Sequence, residues 1–179
     1  VTNYKYTLAT GFQVSQPRGL IAEGLFKDYD DIRNSAKQTW GDVMPGDIKY
    51  RDVNGDGIVN DKDYVPIGAT NRPNLIYGFG FSAQWKGFDV NVLFQGAGKS
   101  TFFIDGYTVY PFKDGDWGNI LTDVVKSNRW ILGENEDPNA KYPRLSYGGN
   151  NNNYQSSTYW MRNGSYLRLK NLEVGYTIP

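Results

Sequence analysis

Between Ile76 and Gln95 the chain alternates apolar with small or polar side chains almost without a break. Tyr77, Phe79, Phe81, Ala83 and Trp85 take every second place, with Ile76, Gly78, Gly80, Ser82 and Gln84 between them. After Lys86-Gly87 the rhythm resumes, with Phe88, Val90, Val92 and Phe94 set against Asp89, Asn91, Leu93 and Gln95. A period of two puts each set on its own face of a strand. The pattern therefore predicts a hairpin with one aromatic face and one small or polar face. At about 3.4 Å per residue and a tilt of about 40°, Tyr77 to Trp85 rises roughly 23 Å, close to the ~25 Å apolar band of an outer-membrane barrel. A soluble sandwich would aim the aromatic face at a core, and a barrel would aim it at lipid. Periodicity fits both, but the two-residue turn and Trp85 at the strand end favour the barrel.

The flanking segments carry weaker patterns. Tyr4, Tyr6 and Leu8 within Asn3–Val14 predict a strand. Asp28 is placed to cap a short helix over Tyr29–Ala36. Leu172, Val174, Tyr176 and Ile178 predict a last strand, opposed by Asn171, Glu173, Gly175 and Thr177. Leu167 and Leu169 fall out of phase with that set, which predicts a bulge near Lys170. Ala97 to Tyr159 reads as one long excursion rich in Asn, Gly, Ser and Pro. Loops of that length are normally functional or disordered. The count comes to about four strands, too few to close a barrel.

Composition sharpens this picture. Among 179 residues, aromatics reach 16% and glycines number 21, a balance that points to β structure with polar loops. Nineteen basic and nineteen acidic side chains cancel, so no net field recruits nucleic acid. No cysteine or histidine is present, which removes disulfides, thiolate chemistry and the commonest general base. An enzyme would have only carboxylates to work with, and nothing separates a catalytic Asp or Glu from a surface one, so the chain reads as a non-enzyme. No run of eighteen apolar residues and no signal-like start is visible, although membrane strands escape both tests.

Candidate chemistry sits in "RDVNGDGIVNDKD", Arg51 to Asp63. With Asp52 as position 1, Asn54, Asp56, Ile58 (through its carbonyl), Asn60 and Asp63 fall at positions 3, 5, 7, 9 and 12, and Gly57 at 6. That is the oxygen spacing of an EF-hand calcium loop, with Asp63 where a glutamate is usual. Hard oxygen donors suit Ca2+, and a structural ion would neutralise three carboxylates. The competing reading is an Asx-rich turn ordered by its own hydrogen bonds. Pro66 and Gly68 exclude a second EF-hand helix.

The blocks "GLIAEGLF", "PGDIKYRDVNGDGIVNDKDYVPIG", "YGFGFSAQWKGFDVNVLFQG" and "SYLRLKNLEVGYTIP" resemble, in order, those of SusC/RagA-type TonB-linked outer-membrane transporters. The resemblance implies an all-β chain: antiparallel strands of a transmembrane barrel, with long extracellular loops. The family barrel has about 22 strands around a plug. Residues 1–179 would be part of that barrel domain, with plug and last strands absent. It further implies import of oligosaccharides or peptides, a SusD-like surface lipoprotein as partner, and energy from the TonB complex. The location implied is the outer membrane of a Gram-negative, Bacteroidetes-like cell. Trp117, Trp130 and Trp160 would lie in extracellular segments, where at least one contacts substrate or lid, unless they pack the loops together. The alternative is a calcium-stapled carbohydrate-binding β-sandwich that stacks sugars on those tryptophans. Dockerin-like modules share the "DVNGDG" loop, but need a second copy and a following helix.

Overall fold

The computed structural model describes residues 4–106, 109–113 and 119–178. The chain divides into two compact units, residues 1–67 with 103–161, and residues 68–102 with 162–179.

The first unit is built from short elements. Strand β1 (Arg18–Gly19), β2 (Ala22–Leu25), helix α1 (Tyr29–Arg33), β3 (Lys37–Gln38), β4 (Ile48–Tyr50), β5 (Ile58–Val59) and β6 (Val65–Pro66) follow one another, with α2 (Thr122–Lys126) farther on. Three two-stranded ladders result: β1 with β6 and β2 with β4 antiparallel, β3 with β5 parallel. None is long enough to be stable alone. They are held by a common core that includes Leu20, Leu25, Ile48, Val59, Val124 and Trp160. Helix α1 starts where its cap was expected, with Asp28 accepting from the Asp31 amide at 2.7 Å. It ends at Arg33, short of Ala36, and none of its residues is buried.

The strand expected over Asn3–Val14 does not form. Lys5–Thr7 is a single 3₁₀ turn instead, and Asn3 lies outside the described residues. Three alternating apolar positions do not make a strand without a partner for their backbone groups. Here Gly11 and Ser15 also turn to positive φ, at 90° and 62°, which ends any extended run.

The second unit is the predicted hairpin and one more strand. β7 (Leu75–Trp85) and β8 (Phe88–Gly98) pair antiparallel from Leu75↔Gly98 to Trp85↔Phe88. Lys86 at φ 48° and Gly87 at φ 85° form the connection. Both central residues at positive φ is the turn whose twist matches flanking strands, and glycine takes such a φ without cost. β9 (Thr101–Phe103) and β10 (Met161–Asn163) carry the chain out of this unit and back. β11 (Tyr166–Tyr176) then pairs with β8, giving the order β11-β8-β7. Among the described residues three strands are long, where about four were expected. Leu75, Gly98 and Tyr166 share one end of the sheet, and the Lys86-Gly87 turn closes the other.

Candidate functional site: a two-faced sheet and an Asx-rich loop

Register decides which side chains share a face. Phe81 lies opposite Val92 and Val92 opposite Leu172, while Trp85, Phe88 and Tyr176 form the corresponding row near the turn. Between Leu169 and Asn171 the β11 register slips, at the position where the sequence required a bulge. The slip has a consequence. Leu169 now stands opposite Phe94, and Leu167 opposite Gly96, so both leucines join the apolar face instead of leaving it. The slip, which leaves Lys170 out of the ladder, is thus what keeps this face continuous over the whole length of the third strand.

The aromatics on that face touch one another. Phe79 and Phe94 stack at 5.2 Å, and Phe88 and Tyr176 meet at 4.6 Å. Tyr77 lies flat over Gly96, where an added Cβ would come within 2.2 Å of the ring. Glycine there gives the tyrosine its seat. Much of this surface is open: Phe81 is 59% exposed, Val174 69% and Trp85 71%. A soluble monomer rarely exposes so continuous an apolar patch.

The opposite face is hydrogen-bonded and polar. Ser82 Oγ donates to Asn91 Oδ1 at 3.1 Å, and Asn91 Nδ2 donates to Glu173 Oε2 at 3.3 Å, a row running across all three strands. Nearer the open end, Arg168 Nη2 donates to Gln95 Oε1 at 3.1 Å. One sheet therefore presents an oily side and a wettable side.

The Asx-rich loop closes on its own amides. Asp52 takes the Gly55 and Gly57 amides, one on each carboxylate oxygen, both at 2.7 Å. Asn54 accepts from the Asp56 amide at 2.8 Å, and Asp56 from the Ile58 amide at 2.9 Å. Asp63, fully buried, accepts from Val53 at 2.9 Å and from Asn60 at 2.8 Å, tying the two ends of the loop together. Asn60 caps the following 3₁₀ turn, accepting from Lys62 at 2.9 Å. The six residues named for calcium thus lie on one loop, and the all-oxygen donor chemistry fits a hard cation. Their arrangement is that of a self-bonded turn. Among the described residues no group of three or more acidic side chains is placed to hold a metal ion.

Two of the three candidate tryptophans are largely enclosed by the fold. Trp160 is 1% exposed, and its Nε1 donates to the Asn153 carbonyl at 2.7 Å. Trp130 is 5% exposed and packs on Gly46, whose φ of 85° and missing Cβ leave room for the ring. Trp117 lies outside the described residues. Sequence reasoning missed the group beside Trp160. Asp47, Gln38, Asn152 and Asn153 are buried together, although the asparagine run looked like loop. Gln38 Nε2 donates to Asn152 Oδ1 at 2.6 Å, and Asn153 Nδ2 and Asn150 Nδ2 each donate to Asp47 Oδ1 at 2.9 Å. Tyr50, whose phenol is held protonated well above its usual range by burial, donates to the Asn152 carbonyl at 2.8 Å.

A twisted antiparallel sheet that is oily on one face, polar on the other and hairpinned at one end defines a piece of membrane β-barrel wall. The comparisons agree. The chain is 29% identical over 172 residues to TonB-dependent receptor P26 of Formosa agariphila, covering 96% of this chain and 16% of that protein. It is 30% identical over 139 residues to TonB-dependent receptor P3 of the same organism, covering 78% of this chain and 13% of that protein. In fold it is similar to a chain of the RagAB peptide importer in its closed-closed state (TM-score 0.53, 19% identity, 90% of this chain and 16% of that one). The open-open state gives the same TM-score of 0.53, with 20% identity over 97% of this chain and 18% of that one. No protein-family model matches the chain. By sequence the chain matches TonB-dependent receptors and by fold a chain of the RagAB importer, and it spans less than a fifth of the length of each. These relatives are named as receptors and an importer, not as enzymes.

Proposed function

We propose that this chain is wall and outer-loop sequence of a TonB-dependent outer-membrane importer for oligosaccharides or peptides, working with a SusD-like surface lipoprotein. The observation that carries the reading is the continuous apolar face over β7, β8 and β11, backed by the polar row Ser82–Asn91–Glu173. Lipid would take the first face and a water-filled lumen the second. The chain leaves the sheet at the end opposite the tight turn, the end that carries the longer outer loops in such barrels. The test is uptake by cells carrying or lacking the full-length receptor, using labelled oligosaccharide and peptide pools, with TonB coupling intact or removed. Uptake lost in both the receptor-less and the TonB-less cells is expected. Unchanged uptake of every pool, with the receptor fractionating among soluble proteins, would remove the proposal.

We further propose that the Asp52–Asp63 loop takes one Ca2+ as a structural staple, through Asp52, Asn54, Asp56, the Ile58 carbonyl, Asn60 and Asp63. The spacing of the donors supports this reading, and each carboxylate oxygen already used by an amide keeps a second lone pair. An ion bound only by the ordered loop would stabilise it by mass action. Calorimetry of the full-length receptor with and without chelator, beside Asp52→Ala and Asp56→Ala, should show a lower melting temperature without Ca2+ only when both aspartates are present. Melting and loop proteolysis that ignore the chelator would reduce the loop to a self-bonded turn.

A further inference from the structure

Within the first unit, Met44, Pro45, Trp130, Leu132 and Leu145 wall a cleft of about 360 Å³. That volume and that apolar lining lie in the range of small-ligand sites. Arg129 and Arg144 supply its charge, and they differ. Arg144 Nη2 donates to the fully buried Asp47 at 3.1 Å, so its charge is neutralised inside the fold. Arg129 Nη1 donates to the backbone carbonyls of Val124 and Val125, at 3.4 and 3.1 Å, and among the described residues to no carboxylate. Among these residues the cleft therefore joins apolar walls to one cation without a counter-charge, held in place by neutral acceptors. A further observation marks it as open for a ligand: Leu132 is 74% exposed and Met44 44%. A sugar would find few hydrogen-bonding groups on these walls. An apolar side chain next to a carboxylate would find both of its needs met.

We propose that this cleft binds the C-terminal end of a peptide, with its last apolar side chain against Trp130 and Leu132 and its carboxylate on Arg129. The proposal rests on the importer reading, and narrows the cargo at this point to peptides that end in an apolar residue. Burying such a side chain supplies affinity, while the guanidinium selects the free acid over a neutral end.

The test uses the full-length receptor in detergent, with N-acetyl-Ala-Leu as probe and its C-terminal amide as control, read by titration calorimetry. The acid should bind roughly five- to tenfold more tightly than the amide, as for one partly exposed charge pair. Arg129→Gln should erase that difference, Arg129→Lys should keep part of it, and Leu132→Ser should weaken both ligands. Should Arg129→Gln lower the melting temperature, the exposed Leu132→Ser variant carries the test alone. Equal binding of acid and amide, binding of neither, or binding indifferent to the substitutions would each overturn the proposal. Failure here with TonB-dependent uptake intact leaves the importer standing. Absence of TonB-dependent uptake removes the importer reading, whatever the calorimetry shows.

Discussion

Asp47 organises more of the loop unit than any residue that the sequence singled out. Its carboxylate accepts from Asn150, Asn153, Arg144 and the Met44 amide, with no exposure to solvent. Replacing it by Ala leaves those donors buried without an acceptor, and loss of one partner from a buried pair costs about 3–5 kcal/mol. Asp47→Ala should therefore expose the loop unit of the full-length receptor to limited proteolysis well below the melting temperature of the barrel. Resistance equal to the parent's would show that the network contributes little. Asp31 gives a pH-dependent counterpart. Partial burial alone would raise its carboxyl, but the Lys49 ammonium at 2.7 Å, the Lys27 amide and Ser35 together hold it below its usual value. A depressed folded pKa stabilises above the unfolded value, near 3.8, and that contribution disappears as pH falls through the folded one. Acid should thus loosen this unit below about pH 4, and Asp31→Asn should flatten that part of the profile. A variant with the parent's acid profile would contradict the assignment.

At the scale of elements, the hairpin was legible because its signal is local. A period of two over β7 and β8 and a two-residue turn specify both strands and their register before any distant contact forms. The bulge at Lys170 was legible for the same reason, since two apolar sets out of phase on one strand need an extra residue between them. The buried asparagines were not legible, because an Asn run becomes core only when Asp47, Gln38 and the Ile48 backbone arrive from more than a hundred positions away in sequence. The false strand at Tyr4–Leu8 fails the other way: its alternation is local, but among the described residues no strand pairs with it, and the Arg18 guanidinium takes the Tyr6 and Leu8 carbonyls instead. Deleting Lys170 tests the bulge. Lys170 is the residue left out of the ladder, so the deletion should give a regular strand with Leu167 and Leu169 still on the apolar face, and the full-length receptor should keep its folded, heat-modifiable band on gels. Inserting a second residue beside Lys170 in the parent should instead break the phase and lose that band. A receptor that fails to assemble without Lys170, or that tolerates the insertion unchanged, would contradict this placement of the bulge.

For the whole molecule, the question is what the apolar face meets. Phe79, Phe81, Leu172 and Val174 are each at least half exposed, and leaving that much apolar area in water costs about 25 cal/mol per Å². In lipid the same area carries no penalty, while Ser82, Asn91 and Glu173 would be costly there. The account therefore fixes the direction of every side chain in the sheet at once, and one pair of neighbours reads it out. Spin labels at Phe81 and Ser82 of the full-length receptor, reconstituted in bilayers, report collision with oxygen dissolved in lipid and with a water-soluble nickel chelate. The label at position 81 should respond to oxygen and that at 82 to nickel. The reverse pattern, or a label at 81 shielded from both reagents, would contradict the barrel-wall account.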